Sequence, residues 1–229
     1  MALPLIDTVP PADDRDLRHW RAHWPQADAL MFVSGAAVRA FFDATPMAAA
    51  HPNTRFWAPG PGTAQALAEA LPVWGVSAAQ IDAPPLEAEQ FDSEALWAVV
   101  HPQVRPGHTV VLVGGGAGRD WLAERCEAAG ATVHRCVAYA RQAPQPTAEW
   151  HAQFAQARQS GCAWLFSSSQ ALEHLANLAP QADWSACTAV VTHPRIAPAA
   201  QALGFDRVCL SRPTVADVLK TLESKDHDR

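Results

Sequence analysis

Hydrophobic positions along the chain form short apolar runs that alternate with longer, Ala-rich amphipathic stretches. A short run that is apolar throughout is typical of a strand covered on both faces, whereas apolar spacings of three and four are typical of a helix. Candidate strands lie at residues 3–6, 29–33, 55–58, 80–83, 109–113, 132–138, 163–167, 188–191 and 207–210. Single helices between successive strands require parallel sheets with helices on both faces. The pattern therefore predicts a doubly wound α/β fold.

The sequence also contains an internal repeat. Residues 29–38 (ALMFVSGAAV) align with residues 163–172 (AWLFSSSQAL) at an offset of 134 residues. At the same offset, residues 56–60 fall on residues 190–194, and an Ala-rich helical stretch follows each. Either the chain has two similar α/β halves, or two βα units of an Ala-rich chain resemble each other by composition. Two halves would create a cleft between two lobes, where small-molecule sites prefer to form.

A stretch rich in Pro and Gln at residues 142–146 follows the candidate strand 132–138 and is the expected domain boundary. We expect one contiguous α/β domain over residues 10–133 and a second over residues 143–229. Residues 1–9 and 134–142 are then linker strands, and strands near 3–8 and 134–140 should pair antiparallel.

Composition narrows the classes of partner. With 17 Lys and Arg against 23 Asp and Glu, and no basic cluster, we expect no nucleic-acid partner, since such binding depends on neutralising phosphates. The longest apolar runs are too short to span a membrane and the N-terminus does not resemble a signal peptide, so we expect no membrane association and a cytoplasmic location. The five cysteines are dispersed without C-x-x-C spacing, and the ten histidines are scattered. We expect reduced thiols and no metal site.

Small hydroxylic residues or glycines follow many of the candidate strands. The junctions are Ser34-Gly35, Gly60–Thr63, Gly114–Gly118, Ser167–Ser169 and Thr192-His193. A helix that starts at such a junction offers free backbone N–H groups and a partial positive charge, which together favour an anion. Ordinary helix capping by Ser and Thr explains any single junction equally well. The five together favour a ligand with several carboxylates or phosphates.

Three further features are candidates for cofactor binding or catalysis: the glycine run, Tyr139 and His193. The glycine run fits neither G-x-G-x-x-G, because the third glycine position is Arg119, nor a P-loop, so we expect no nucleotide cofactor. It is either a turn close to a ligand or a tight βα turn. Tyr139 is the only tyrosine, and its phenol either donates a proton to a leaving group or seals a hinge. His193 is either an acid or base, or a turn histidine bonded to nearby backbone.

Several stretches of the chain form an ordered set of motifs, at residues 32–38, 61–64, 92–96, 118–122, 130–133, 137–141, 166–169, 190–197 and 202–205. Taken in order, they resemble the uroporphyrinogen-III synthase family of tetrapyrrole (haem) biosynthesis. Each motif is weak by itself, but the ordered set covers nearly the whole chain.

The resemblance implies two flavodoxin-like doubly wound domains joined by a two-stranded linker, with the active site in the cleft between them. It also implies a lyase that works without cofactors. Enzymes of this family cyclise hydroxymethylbilane, a linear tetrapyrrole rich in carboxylates, to uroporphyrinogen III. Water is lost and the terminal ring is inverted through a spiro intermediate.

Position by position, the resemblance makes Tyr139 the residue that assists loss of the hydroxyl group. The junctions and the resemblance together give the expected substrate-binding residues, which are Ser34, Gly35, Thr63, Gly116, Ser168, Ser169, Thr192, His193 and Arg195.

The sequence departs from the family pattern at its N-terminus and at Gly114. Family members begin with a further strand and helix, so we expect the second domain to lack this unit. We expect a monomer, or a dimer if the sheet edge so exposed needs cover. Gly114 stands where the family often has a basic residue.

Two alternative functions remain open. The first is a non-catalytic two-lobed binding protein or sensor for an anionic metabolite, and the second is a cofactor-dependent flavodoxin-like enzyme.

Overall fold

Strands and helices alternate along the chain, as the hydrophobic pattern predicts. The computed structural model describes residues 2–43, 53–116, 118–158 and 162–226. The predicted domains also include residues that lie outside these described ranges. The first elements are β1 (Asp7–Val9), α1 (Arg15–His23), β2 (Ala29–Phe32), α2 (Gly35–Phe42), β3 (Arg55–Trp57), α3 (Pro61–Ala70), β4 (Ile81–Asp82), α4 (Ser93–Val100), β5 (Thr109–Gly114), α5 (Trp121–Ala128) and β6 (Thr132–Val137). They are followed by β7 (Ala140–Gln142), α6 (Ala148–Ala157), β8 (Ala163–Phe166), α7 (Ser169–Leu178), β9 (Thr188–Val191), α8 (Ala197–Ala202), β10 (Arg207–Leu210) and α9 (Val215–Asp226).

The chain divides into two compact units. We call Thr8–Ala140 the central unit, and Met1–Asp7 with Arg141–Arg229 the terminal unit. None of the helices in the described part of the chain is long and apolar enough to cross a membrane.

The central unit contains a parallel five-stranded sheet in the order β4-β3-β2-β5-β6. Successive residues of β2 point to opposite faces. Leu30 and Phe32 pack into the cluster under α1, α2 and α3, and Met31 packs into the cluster under α4 and α5. All four residues of β2 are buried, because helices cover both faces of the sheet.

The strand order of this sheet reverses between β2 and β5. The chain runs outward from β2 to β3 and β4, then returns to place β5 on the other side of β2, with β6 beyond it. In doubly wound sheets, ligands bind at the carboxyl ends of the strands where such a reversal occurs. Ser34 lies just beyond β2, Gly115 just beyond β5 and Tyr139 just beyond β6. The topology therefore brings three separate junctions to one edge of the sheet.

Helix α2 is held at both ends. Ser34 precedes it in extended conformation and its Oγ accepts the Ala37 N–H at 3.2 Å. At the other end, the Arg21 guanidinium of α1 donates to the carbonyl oxygens of Ala40 and Phe41, the latter at 2.9 Å. These carbonyls lack partners within the helix, so Arg21 fixes the position of α2 relative to α1.

The terminal unit contains a parallel three-stranded sheet in the order β10-β9-β8. Trp164 and Phe166 of β8 enter its core, where the rings of Trp164 and Trp184 meet edge to face with centroids 5.2 Å apart. Leu165, on the opposite face of β8, is 54% exposed.

Residues 3–6 do not form the strand expected from their apolar sequence, which is a correction to the prediction. Leu5 is buried in the core of the terminal unit. Its carbonyl accepts a hydrogen bond from His174 Nδ1 at 2.6 Å, and the Pro4 carbonyl accepts one from Trp150 Nε1 at 3.4 Å. Because side chains rather than a neighbouring strand satisfy this backbone, and Pro4 has no N–H to donate, the segment packs without pairing.

A second correction concerns the linker predicted at residues 134–142. Residues 134–137 belong to β6, which pairs with β5 over its whole length from Thr132 to Val137. The two-stranded ladder is formed by β1 and β7, which both lie within the predicted linker ranges 1–9 and 134–142. The apolar pattern of residues 132–138 identified one strand correctly but did not indicate which sheet it joins, because partner choice depends on contacts distant in sequence.

Candidate active site

Tyr139 is the centre of the candidate site in the central unit. Its side chain is only 2% exposed, and its phenol oxygen lies 3.1 Å from Ser34 Oγ. The preceding residue, Ala138, donates its N–H to the Gly114 carbonyl at 2.8 Å, which extends the pairing of β6 with β5 up to the tyrosine. A buried phenol is thereby held at the edge where the strand order reverses.

The glycine run accommodates this tyrosine. A Cβ atom at Gly115 would lie 2.9 Å from Tyr139 Cε2 and 3.0 Å from its Cζ, closer than atoms of a buried ring tolerate. Gly116 has a φ of +84°, in the left-handed region that favours glycine. The run is thus a tight βα turn on which the Tyr139 ring packs.

Gly114 also has a steric explanation. A Cβ atom there would lie 2.9 Å from Val33 Cγ2. The basic residue that the resemblance leads one to expect at this position would displace Val33. The packing of Val33 therefore explains why this chain has glycine at position 114.

The starts of α2 and α3 are neighbours. A Cβ atom at Gly35 would lie 3.6 Å from Ala66 Cβ and 3.7 Å from the Gly62 carbonyl oxygen. Thr63, in the first turn of α3, is 8% exposed. The junctions of β2 and β3 thus contribute adjacent helix N-termini, which favour negative charge.

A cavity of about 790 Å³ opens beside Tyr139 within the central unit. Its volume is in the range of small-molecule sites. Its lining residues include two arginines and three acidic residues, which are Arg21, Arg39, Asp14, Asp43 and Glu69.

Arg39 is a candidate that the sequence analysis missed. It is exposed, makes no hydrogen bond or ion pair to the described residues, and its Nη1 lies 3.4 Å from the position of a Gly35 Cβ atom. The available signal was its spacing, since a residue four positions after Gly35 lies on the same face of a helix.

The other predicted binding residues lie at strand ends of the terminal unit. Ser168 precedes α7, but its side chain does not cap the helix, and Ser169 is the first helical residue. Thr192 follows β9 and donates its N–H to the Phe166 carbonyl at 3.1 Å. The Nδ1 atom of His193 accepts the Arg195 N–H at 3.1 Å, as expected for a turn histidine.

Arg119, which interrupts the nucleotide motif, pairs with Glu94 of α4. Burial is the strongest single influence and opposes ionisation of Glu94, but the hydrogen bond from Arg119, a backbone hydrogen bond and the Arg119 charge together outweigh it, so the pKa of Glu94 lies below its usual range. The Arg119 side chain is therefore engaged in an ion pair at the start of α4.

His19 and His23 are four positions apart on α1, an H-x-x-x-H spacing, contrary to the expectation that the histidines are scattered without one, and their rings stack with centroids 4.5 Å apart. No group of three or more His, Cys, Asp and Glu side chains suited to a metal ion occurs among the described residues. Burial raises the pKa of Cys126 to about 11 and that of Cys136 to about 12, so both thiols are protonated at neutral pH.

Solved structures with the same fold were found by comparison. A mutant uroporphyrinogen III synthase from Thermus thermophilus aligns with a TM-score of 0.58 and 17% identity, over 100% of this chain and 90% of that one. A uroporphyrinogen-III synthetase from Helicobacter pylori aligns with a TM-score of 0.61 and 16% identity, over 96% of this chain and 91% of that one. At these identities the likeness establishes the fold. Comparison with curated proteins gives no match.

Family membership follows from the sequence itself. The family model described as uroporphyrinogen-III synthase HemD matches residues 1–220, which include every predicted site residue of both units. Tyr139 lies between β6 and β7, next to the glycine turn, rather than within the interdomain strand expected from the sequence. The chain therefore belongs to the uroporphyrinogen-III synthase family.

Proposed function

We propose that this chain closes hydroxymethylbilane to uroporphyrinogen III in haem biosynthesis, as a cyclising lyase that needs no cofactor, and that Tyr139 is its general acid. The observation that carries the role of Tyr139 is its placement. The phenol lies within hydrogen-bond distance of Ser34, its ring packs on Gly115, and it lines the cavity of the central unit.

In this mechanism Tyr139 acts on the hydroxymethyl group of the substrate. The phenol O–H gives its proton to the hydroxymethyl oxygen, the C–O bond breaks with its electron pair on oxygen, and water leaves. The electron-rich pyrroles stabilise the resulting cation, which attacks the terminal ring at its substituted carbon. The product of this attack is the spiro intermediate. The original bond from that carbon to its methylene bridge then breaks with its electron pair on the terminal ring, and the bridge carbon, now a cation, bonds to the free α-carbon of the same ring, which closes the macrocycle in inverted orientation. The proton lost when the pyrrole becomes aromatic again balances the proton that was used, so the net product besides uroporphyrinogen III is one water.

Carboxylates of the substrate are the groups we expect the helix starts to bind. In the central unit these contacts come from Ser34, Gly35, Thr63 and Gly116, and Arg39 adds a cation beside the cavity. In the terminal unit they come from Ser168, Ser169, Thr192, His193 and Arg195. Backbone N–H groups and partial helix charges act locally, so a chain of net charge −6 still binds an anion.

The proposal extends to organisation and location. We take the central and terminal units as the two domains, with β1 and β7 as the linker strands. A cytoplasmic location is proposed because all five cysteines are free thiols, which is usual in a reducing compartment. The proposed oligomeric state is the monomer expected from the sequence.

The direct test of the proposed function is the isomer of the product. The purified protein is incubated with freshly prepared hydroxymethylbilane, the product is oxidised, and types I and III are separated by chromatography. We expect type III to predominate at a rate proportional to protein concentration. Formation of only the spontaneous type I isomer would contradict the proposal. Saturable binding of the substrate without type III would instead indicate the anion-binding alternative.

A further inference from the structure

The hydrogen bonds around Ser34 define what its hydroxyl can do. A serine hydroxyl carries one proton and two acceptor lone pairs. One lone pair of Ser34 Oγ accepts the Ala37 N–H, at 3.2 Å, in the first turn of α2. The proton and the other lone pair remain for Tyr139, whose oxygen is 3.1 Å away.

Proton transfer from Tyr139 decides the direction of this hydrogen bond. When the phenol gives its proton to the substrate, its oxygen becomes an anion and only accepts hydrogen bonds. Ser34 O–H must then donate to it. The Ala37 N–H polarises the Ser34 hydroxyl in the same sense, and hydrogen bonds in such a chain strengthen one another. The N-terminal end of α2 also favours negative charge beside Ser34.

The ring of Tyr139 has little freedom to leave this arrangement. Its side chain is 2% exposed, and the backbone of Gly115 lies against the Cε2 and Cζ atoms. The distance between the two hydroxyl oxygens is therefore set by the packing of the ring as well as by the hydrogen bond.

We propose that Ser34 is a positioning residue, which orients the Tyr139 phenol and donates a hydrogen bond to the phenolate formed during loss of water. This inference rests on the proposed function, because it assumes that Tyr139 is the acid. It replaces the direct contact with a substrate carboxylate that both the sequence and the proposed function assign to Ser34, and it leaves that role to Gly35, Thr63 and Gly116. The two roles differ in what they predict: positioning affects kcat, whereas a carboxylate contact affects KM.

A double-mutant cycle tests the proposal. Initial rates of type III formation are measured over a range of hydroxymethylbilane concentrations for the wild type, Ser34→Ala, Tyr139→Phe and the double variant. We expect Ser34→Ala to lower kcat about ten- to a hundredfold, the effect of a lost hydrogen bond to a charged group, with KM changed less than about twofold. In the Tyr139→Phe background, Ser34→Ala should change kcat by less than about twofold, because the oxygen on which it acts is gone.

Two further variants and a control separate this role from helix capping. Ser34→Thr keeps a hydroxyl and a good N-cap and should restore most of kcat. If Ser34→Ala folds poorly, Ser34→Gly removes the hydroxyl while retaining an acceptable N-cap, and it should show the same loss of kcat. Thr147→Ala removes the cap of α6, whose Trp150 N–H donates to Thr147 Oγ1 at 3.1 Å, and should leave kcat unchanged.

The kinetics of these variants distinguish failure of the positioning role of Ser34 from failure of the acid role of Tyr139. If Tyr139→Phe is slow and Ser34→Ala lowers kcat by the same factor in both backgrounds, the positioning role is wrong and the acid role stands. A raised KM with unchanged kcat in Ser34→Ala also overturns positioning. Wild-type turnover by Tyr139→Phe overturns the proposed acid and the positioning role together.

Discussion

The strands β2 and β8 start from nearly the same sequence and end in different surroundings. They coincide at the repeat offset of 134 residues, and each is followed by a parallel neighbour, β3 or β9, and then by β4 or β10. On its other side β2 pairs with β5, whereas β8 is the last strand of its sheet in the described part of the chain. A repeated βα unit therefore specifies local structure, and its position in the sheet determines what surrounds it.

This difference extends to the two serine junctions. Ser34, after β2, caps its helix and contacts Tyr139, which reaches it from beyond β6. Ser168, after β8, has no side-chain cap, and β8 has no neighbouring strand of the β5 kind among the described residues. The two serines thus provide an internal comparison. They occupy the same position after the strand of a βα unit, but only Ser34 contacts a tyrosine that follows another strand of its sheet.

The largest expected effect concerns the glycine on which Tyr139 packs. Gly115→Ala places a methyl group 2.9 Å from Cε2 and should displace the ring, with a loss of about 100-fold in the rate of type III formation, as is usual for a catalytic group moved by about 1 Å. Gly118→Ala is the control, because a Cβ atom there meets nothing within 4 Å. Rates for the two variants are compared at saturating substrate. Equal rates would mean that the ring position is not critical.

The second comparison concerns stability at matched strand positions. Met31 in β2 is 4% exposed and Leu165, its counterpart in β8, is 54% exposed. Met31→Ala should lower the free energy of unfolding by about 2–5 kcal/mol, because it leaves a cavity in a closed core. Leu165→Ala should lower it by less than about 1 kcal/mol. Urea unfolding followed by tryptophan fluorescence measures both, and similar losses would show that β8 is covered in solution.

The smallest effect is expected from the two serines as helix caps. Ser34→Ala removes the acceptor of the Ala37 N–H and should cost about 1 kcal/mol of unfolding free energy. Ser168→Ala removes no side-chain cap and should cost less than about 0.5 kcal/mol. The same urea experiment applies. A larger cost at Ser168 would indicate that its hydroxyl has a partner in solution.

Much of this fold was predictable from sequence because its signals are local. The apolar runs at residues 29–33, 109–113 and 188–191 became buried strands, and serine or glycine preceded several helices as capping requires. The strand predicted at residues 3–6 was wrong, because a segment buried in a core and a strand paired in a sheet can have the same apolar composition. Side-chain hydrogen bonds to its carbonyls, which compete with pairing, have no local signature.

The candidate site was predictable only in part. Tyr139 and Ser34 could each be singled out, the first as the only tyrosine and the second as a helix cap. Their contact spans 105 positions and depends on the order of β2, β5 and β6, which the apolar pattern does not specify. Gly115 was hidden within a run whose spacing was compared with nucleotide motifs, although its purpose here is to leave room for a ring.

The central claim is that the junction around Tyr139 carries the chemical step, and Tyr139→Phe tests it most directly. This change removes one oxygen and keeps the ring that packs on Gly115, so the melting temperature should be nearly unchanged. The rate of uroporphyrinogen III formation at saturating hydroxymethylbilane should fall about 100-fold, with the spontaneous type I isomer accumulating in its place. A rate within about twofold of the wild type, at equal stability, would contradict the account.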